Sequence, residues 1–229
     1  MYPCSYYREK SIKVTFEEIY SKLYSEFGPQ GWWPAESSFE VIVGAILTQS
    51  VNWTNVEKAI ANLKEYNKGL TGKAEVNLEL LEGLEEEKLA WLIRPSGYYN
   101  MKARKLKAFS HFLRGEYEGS LRKMFGERLE VLRAKLLAVY GIGPETADSI
   151  LLYAGGYPIF VIDAYTKRLY SRCGLIEEDM DYHQLQQLVM KNFPPQVECY
   201  NEYHALIVAL GKYYCRKTAP RCEKCPLSS

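Results

Sequence analysis

The sequence lacks the long apolar stretches that membrane-spanning and exported proteins carry. A transmembrane helix needs about eighteen consecutive apolar residues, and the 229-residue chain contains no such run. Residues 1–10 are polar and aromatic, without the apolar segment of a secretory signal. We therefore expect a cytoplasmic protein that has no membrane as a partner.

A strong excess of charge is also missing. The chain has 29 basic and 28 acidic residues, which gives a formal net charge of +1. Proteins that coat nucleic acid without discrimination are far more basic, so this class is excluded. Residues 79–87 are nevertheless rich in glutamate, and residues 102–107 are rich in lysine and arginine. The basic stretch fits a solvated helix face and a phosphate-binding face equally well.

Cysteines are few, and their spacing divides them into two groups. Three of the six are scattered and are predicted to be small, partly buried thiols: Cys4, Cys173 and Cys199. The other three form a C-x6-C-x2-C cluster: Cys215, Cys222 and Cys225. In a cytoplasmic protein this cluster favours metal ligation over disulfide bonds.

Strand hairpins, internal repeats and low-complexity linkers are absent as well. Apolar residues instead recur at helical spacing, which predicts an all-α protein of about ten helices. The pattern occupies residues 16–27, 56–66, 78–92, 101–113, 129–140, 144–153, 164–173, 182–192 and 202–214. The almost wholly apolar stretch 39–48 fits a buried strand or a buried helix, and the helical patterns on both sides favour a helix.

The most informative stretch reads L-L-A-V-Y-G-I-G-P-E-T-A-D-S-I over residues 136–150. Gly141 and Gly143 bracket Ile142, and Pro144 stands at the favoured first position of a following helix. Amides at the start of that helix would point outward and suit a phosphate oxygen, while Ile142 would pin the two helices together. A plain helix–helix connection with a glycine cap is the alternative.

A second motif, V-I-D-A-Y-T-K-R at residues 161–168, follows the hairpin. An apolar run here brings Asp163 to the start of a new helix. Aspartate at that position caps a helix by accepting backbone hydrogen bonds. Capping would also hold the carboxylate in place for chemistry, so the two roles are compatible.

Together with V-G-A-I-L-T-Q at residues 43–49, these motifs resemble the endonuclease III, or HhH-GPD, superfamily of DNA glycosylases. The resemblance covers residues 16–225 and implies a two-lobed all-α fold with the active-site cleft between the lobes. It implies a central domain over 36–153 that ends in the helix-hairpin-helix motif at 129–153. Residues 1–35 and 154–229 would form a second domain, which carries the cysteine cluster at 215–225.

The resemblance also implies a reaction and partners. Asp163 matches the catalytic aspartate, whose carboxylate would stabilise the positive charge on the sugar as the base leaves. The partners would be damaged double-stranded DNA and a downstream abasic-site endonuclease. The protein would be a monomer associated with the nucleoid.

Glu145 indicates whether the glycosylase is monofunctional or bifunctional. Bifunctional relatives carry a lysine there, which forms a Schiff base with the sugar before strand cleavage. A carboxylate cannot form an imine, so the sequence predicts a monofunctional glycosylase without lyase activity. No positional reason favours Lys167 or Lys212 as a substitute amine.

The predicted base pocket contains Trp32, Trp33, Pro34, Trp53 and Glu145. A W-W-P loop and an aromatic residue four positions beyond Gln49 resemble the 3-methyladenine glycosylase of endonuclease III type. In that branch Trp33 and Trp53 would sandwich the flipped base, although each tryptophan alone also fits a core position. Electron-rich indoles attract a cationic alkylated purine, and undamaged purines lack that charge.

Further DNA contacts are implied for the hairpin and for several polar side chains. The predicted DNA-binding residues are Gln49, Lys102, Gly141, Ile142, Gly143, Thr146 and Lys167. Gln49 would fill the gap left by the flipped base, or else be an ordinary core or loop residue. Lys102 belongs to a G-Y-Y-N-M-K-A-R stretch that resembles the family's active-site floor, and with Lys105 it would reach phosphates. Hairpin carbonyls around Tyr140 and Ile142 are a candidate site for a monovalent cation.

Relatives often end in C-x6-C-x2-C-x5-C, which holds a 4Fe–4S cluster. Cys215, Cys222 and Cys225 match the first three ligands, and the fourth position falls beyond Ser229. A shortened chain, a cluster with a non-cysteine fourth ligand and a remnant without metal all remain open. Zinc would also lack its fourth ligand. The excision chemistry itself requires no cofactor.

Two other functions fit the sequence. One is an endonuclease III-like glycosylase and lyase for oxidised pyrimidines or mismatches, which Glu145 disfavours. The other is a non-catalytic helix-hairpin-helix DNA-binding module, which the retained Asp163 disfavours.

Overall fold

The computed structural model describes residues 14–228, and their regular structure is entirely helical. Twelve α-helices occur in this range: α1 Phe16–Phe27, α2 Ser38–Leu47, α3 Trp53–Thr71, α4 Leu78–Gly83, α5 Glu86–Leu92, α6 Tyr99–Tyr117, α7 Leu121–Met124, α8 Leu129–Ala138, α9 Pro144–Ser149, α10 Ala164–Arg172, α11 Tyr182–Asn192 and α12 Val197–Tyr213. Short 3₁₀ turns lie at Arg94–Ser96 and Cys222–Lys224, and a π-helical turn lies at Ile150–Ala154. The predicted all-α class is confirmed. Cys4 lies outside the described residues.

The apolar stretch 39–48 is helical, as expected, and every residue of α2 from Phe39 to Leu47 is buried. The prediction of one helix over residues 78–92 is wrong. Leu84 adopts an extended conformation after Gly83 and buries its side chain, which separates α4 from α5. The sequence reading also missed α7, because four residues are too few to show a helical period.

Residues 33–157 form one compact unit. Its centre is α2, which packs against α3, α6, α9 and the π-helical turn. A helix buried on all sides must be apolar all round, which explains the ambiguous sequence pattern of α2. The π-helical turn directly continues α9, and its residues Ile150–Leu152 are buried.

Residues 14–32 and 158–228 form the second compact unit. Here α12 packs against α1 and α10. Aromatic rings fill the core, including an edge-to-face pair of Phe160 and Tyr200 at 5.5 Å between ring centres. Capping boxes begin α1 at Thr15 and α11 at Asp181. Among the described helices of both units, none combines the length and apolarity needed to cross a bilayer.

Candidate active site

The predicted hairpin joins α8 to α9. Gly141 has a φ of 79°, which glycine adopts without strain. Ile142 is 4% exposed and donates its backbone N–H to Val139 O at 3.1 Å. Pro144 occupies the first turn of α9, and the Ala147 N–H closes that turn on Gly143 O at 2.9 Å. The residues thus form the tight turn that their sequence indicated.

A buried ion pair that the sequence reading missed holds the hairpin together. Nε of Arg133 lies 2.6 Å from Oδ1 of Asp148, and Nη2 lies 3.0 Å from Oδ2. The Asp148 side chain is fully buried, and that of Arg133 is 18% exposed. Two parallel hydrogen bonds from α8 to α9 fix how the helices cross. Asp148 ends the G-I-G-P-E-T-A-D motif, but the motif alone does not reveal its partner.

Gln49 lies against this hairpin. Its Nε2 donates to Gly141 O at 3.0 Å and to the Thr146 hydroxyl at 2.9 Å, and its Oε1 accepts from Lys105 Nζ. The predicted insertion of Gln49 into DNA would require these bonds to break. Thr146 is 5% exposed, so its side chain lies in the interior of the unit.

Lys102 corrects one prediction. Its side chain is buried, and Nζ donates to Ser96 O at 2.6 Å and to Leu47 O at 2.8 Å. Burial lowers the pKa of Lys102 to about 8, and neighbouring Lys105 adds to that effect. Because the ammonium points into the unit, Lys102 cannot reach a phosphate; it joins the end of α2 to the loop before α6.

The predicted tryptophans meet in one aromatic cluster, but not as a sandwich. The ring centres of Trp33 and Trp53 are 5.1 Å apart with the planes at 89°, and Tyr153 lies 5.1 Å from Trp33 on another side. Edge-to-face contact leaves no gap for a base between the indoles, so a preformed sandwich is wrong for this structure. Gly44 of α2 admits the Trp33 ring, since a Cβ there would lie 3.2 Å from it.

The remaining predicted pocket residues are distributed over both units. Pro34 is exposed beside Trp33, and Glu145 is exposed in the first turn of α9. Trp32 belongs to the other unit, where Lys212 Nζ lies 5.8 Å from its ring centre. Lys167, a predicted DNA contact, is partly exposed on α10.

Asp163 caps α10 and is held at both carboxylate oxygens. Oδ1 accepts hydrogen bonds from the Thr166 backbone N–H at 2.7 Å and from the Thr166 hydroxyl at 2.8 Å. Oδ2 lies 3.5 Å from Nε2 of His204 on α12. The buried residues Ile159–Ile162 anchor the chain just before the cap. Both the cap and the carboxylate are thereby fixed in one orientation.

The environment of Asp163 favours its charged form. Burial raises its pKa, but His204 and the Thr166 hydrogen bonds lower it by more, so the pKa lies below the ordinary value for aspartate. His204 was missed by the sequence reading. It is one of three histidines and precedes an apolar stretch, A-L-I-V-A-L, but no motif pairs it with Asp163.

The cysteine cluster does not complete a metal site. Nη1 of Arg172 lies 3.4 Å from Cys215 Sγ and 2.7 Å from Arg216 O. Burial raises the pKa of the Cys225 thiol to about 11, and the nearby Cys215 and Cys222 contribute. Within residues 14–228, no three Cys, His, Asp or Glu side chains are grouped so as to hold a metal. The donors present therefore do not fit a four-thiolate cluster.

Comparisons with known proteins identify the family of this chain. Residues 43–195 match the model of the family described as "HhH-GPD superfamily base excision DNA repair protein". A Methanocaldococcus jannaschii protein named "Putative DNA repair glycosylase MJ1434" is 47% identical over 224 residues, or 96% of each chain.

Two solved structures show the same fold. The H. pylori 3-methyladenine DNA glycosylase MagIII, bound to 1,N6-ethenoadenine, is 32% identical with a TM-score of 0.73, over 87% of this chain and 98% of that one. An endonuclease III in a non-covalent DNA complex has a TM-score of 0.75 at 23% identity, over 93% and 94% of the two chains. The chain is therefore a DNA glycosylase that belongs to the HhH-GPD superfamily of base excision DNA repair proteins.

Proposed function

We propose that this glycosylase hydrolyses the N-glycosidic bond of a flipped alkylated purine, such as 3-methyladenine, in double-stranded DNA, and leaves an abasic site. The observation that carries the proposal is Glu145 in the first turn of α9, where bifunctional relatives have lysine. A carboxylate cannot form the imine that strand cleavage requires. The 32% identity to a protein named as a 3-methyladenine glycosylase supports the choice of substrate.

Asp163 supplies the principal catalytic group. Its lowered pKa keeps it charged at neutral pH, and the Thr166 bonds hold it still. A fixed anion stabilises the positive charge that develops on the sugar, and it orients the attacking water. The reaction exchanges the bond from sugar to base for a bond from sugar to water oxygen, and the base leaves with the electron pair.

Trp33 and Trp53 provide the surface on which the base stacks. Because their rings touch edge to face, a base enters only when one ring turns. Trp53 is the first residue of α3, is partly exposed, and donates from Nε1 to Glu57 Oε1 at 2.9 Å, whereas Trp33 packs against both Gly44 and Tyr153. We therefore expect Trp53 to move and Trp33 to stay. Cation–π attraction then favours a positively charged purine.

The remaining contacts follow from the hairpin. Gly141, Ile142 and Gly143 would contact the phosphate backbone, and Lys167 would lie along the DNA. Such contacts position the duplex without reading its sequence. The abasic product would pass to an abasic-site endonuclease.

The test uses duplexes that carry 3-methyladenine, thymine glycol or an adenine mismatch. We expect release of free 3-methyladenine, with strand breaks only after alkali treatment. Strand cleavage without alkali, or a covalent complex trapped by borohydride, would show a glycosylase and lyase instead. Binding to damaged duplex without release of any base would indicate a non-catalytic DNA-binding module.

A further inference from the structure

We propose that His204 is a positioning residue that holds the carboxylate of Asp163 in its reactive orientation. The inference rests on the proposed function, because it concerns the same carboxylate. His204 lies on α12, whereas Asp163 precedes α10, and these two helices pack together within one unit.

The two oxygens of Asp163 are held unequally. Oδ1 receives both Thr166 donors at 2.7 and 2.8 Å, so it is committed to the helix cap. Oδ2 faces Nε2 of His204 at 3.5 Å, a distance at which charges attract but no short hydrogen bond forms. Oδ2 is therefore the oxygen that remains available to a developing positive charge. Because Thr166 contacts one oxygen and His204 the other, the two residues together restrict the rotation of the carboxylate.

His204 is itself well placed to hold another group. The residue is 6% exposed, and the edge-to-face contact with Phe160 brings the ring centres to 6.3 Å. Its neighbours Tyr203 and Ala205–Ile207 are buried on the same helix. A side chain on a long packed helix moves little, which is the requirement for a group that sets another group's geometry.

Among the groups that lower the pKa of Asp163, this histidine has the largest effect. The other titratable groups around it are Tyr170 on α10 and Tyr182 on α11, whose hydroxyl lies 3.4 Å from the Ile162 N–H nitrogen. Tyrosine carries no positive charge, and burial raises the pKa of Tyr170 well above its ordinary value. Without His204, only the Thr166 hydrogen bonds would counteract the increase that burial causes in the pKa of Asp163.

The experiment compares His204→Leu, which removes the donor, with His204→Gln, whose amide can donate from nearly the same place. Single-turnover excision measures the chemistry, and affinity for a duplex with a tetrahydrofuran abasic analogue measures binding. We expect His204→Leu to lower the rate by about 100-fold and affinity by less than about threefold. His204→Gln should recover the rate to within about tenfold of the wild type.

The pH dependence separates positioning from a packing role. In His204→Leu the acid limb of the rate profile should move to higher pH, because the pKa of Asp163 rises. The exposed His111→Leu on α6 serves as the control and should change neither rate nor profile. A wild-type rate and acid limb in His204→Leu would overturn the proposal. The proposal would also be overturned if the Leu and Gln variants had equal rates and each rate fell only as much as the fraction of folded protein.

A direct titration keeps this inference apart from the proposed function. The ¹³C signal of the Asp163 carboxyl group reports its pKa whether or not any base is excised. We expect that pKa to rise in His204→Leu and to rise less in His204→Gln. If wild-type protein excises no base, the proposed function fails, while an unchanged Asp163 pKa in the variants refutes the role of His204.

Discussion

Each of the two units buries an aspartate beside a basic side chain, and the two pairs are built differently. Asp148 in the hairpin has both oxygens bonded to one guanidinium, at 2.6 and 3.0 Å. Asp163 has one oxygen bonded twice by Thr166 and the other 3.5 Å from an imidazole. Arg133 is charged at every relevant pH, whereas a histidine can lose its proton.

Under the proposed function, the difference separates a structural pair from a reactive one. Both carboxylate oxygens of Asp148 accept hydrogen bonds from Arg133, so its negative charge holds α8 against α9. Asp163 keeps Oδ2 in a looser contact, which leaves this oxygen able to respond to charge on a substrate. Buried carboxylates whose pKa is shifted by specific partners are typical of catalytic sites.

The largest effect is expected from Asp163→Asn. Asparagine still caps a helix, so the free energy of unfolding should change by less than about 1 kcal/mol. The single-turnover excision rate should fall about 1,000-fold, because the neutral amide no longer stabilises the sugar cation. Thr166→Ser keeps both donors and should stay near the wild-type rate. An excision rate in Asp163→Asn equal to that of the wild type would show that Asp163 only caps α10 and has a structural role, like Asp148.

Breaking the Arg133–Asp148 pair should affect stability more than excision. Arg133→Met leaves Asp148 buried without its counter-charge and should lower the free energy of unfolding by about 3 kcal/mol, measured by urea denaturation. Excision by the folded fraction at saturating DNA should fall far less than in Asp163→Asn. Arg133→Met combined with Asp148→Leu should recover stability, since both partners are then apolar. A loss of excision without a loss of stability would contradict the division of roles.

Lys102 offers a third buried charge, one that is held by neutral carbonyls. Lys102→Met leaves Leu47 O and Ser96 O without a donor and should lower the free energy of unfolding by about 2 kcal/mol. The folded-state pKa near 8 lies below the ordinary 10.5, so the unfolded chain binds this proton more tightly. Wild-type stability should therefore rise relative to Lys102→Met from pH 8 to about 9.5. The partly exposed Lys107→Met is the control and should show neither effect.

The smallest effect concerns the hairpin turn. Gly141→Ala places a Cβ on the Lys105 side chain at a φ of 79° and should lower the free energy of unfolding by about 1 kcal/mol. Gly143→Ala has open space around the new Cβ and should leave stability unchanged. If Gly143 approaches a phosphate, its alanine variant should still weaken binding of duplex DNA. Equal DNA affinity in Gly143→Ala and wild type would remove the hairpin from the interface.

The sequence predicts those features that depend on neighbouring residues. The turn at Gly141–Gly143, the proline that begins α9 and the cap at Asp163 each lie within one short motif, and the structure has all three. Even α2, with no useful period, could be assigned from the helices on either side. Local chemistry dictates such elements before any tertiary contact forms.

Features that depend on packing were not predictable. The motif that contains Asp148 does not indicate Arg133, and nothing near Asp163 indicates His204. Lys102 resembles a phosphate-binding lysine until its ammonium is seen between two carbonyls. The angle between Trp33 and Trp53 is likewise set by Gly44 and Tyr153, which only the folded chain brings to them.

The π-helical turn at Ile150–Ala154 has a consequence for how this aromatic cluster could arise or be lost. A π turn holds one residue more than an α turn, so the residues within it point in directions that an α turn would not give them. Each residue of an α-helix turns the chain by about 100°. Deleting a single residue between Ile150 and Leu152 would thus rotate Tyr153 off the Trp33 ring without altering any side chain of the cluster. A change in chain length, as well as a substitution, could therefore remodel the aromatic cluster of Trp33, Trp53 and Tyr153.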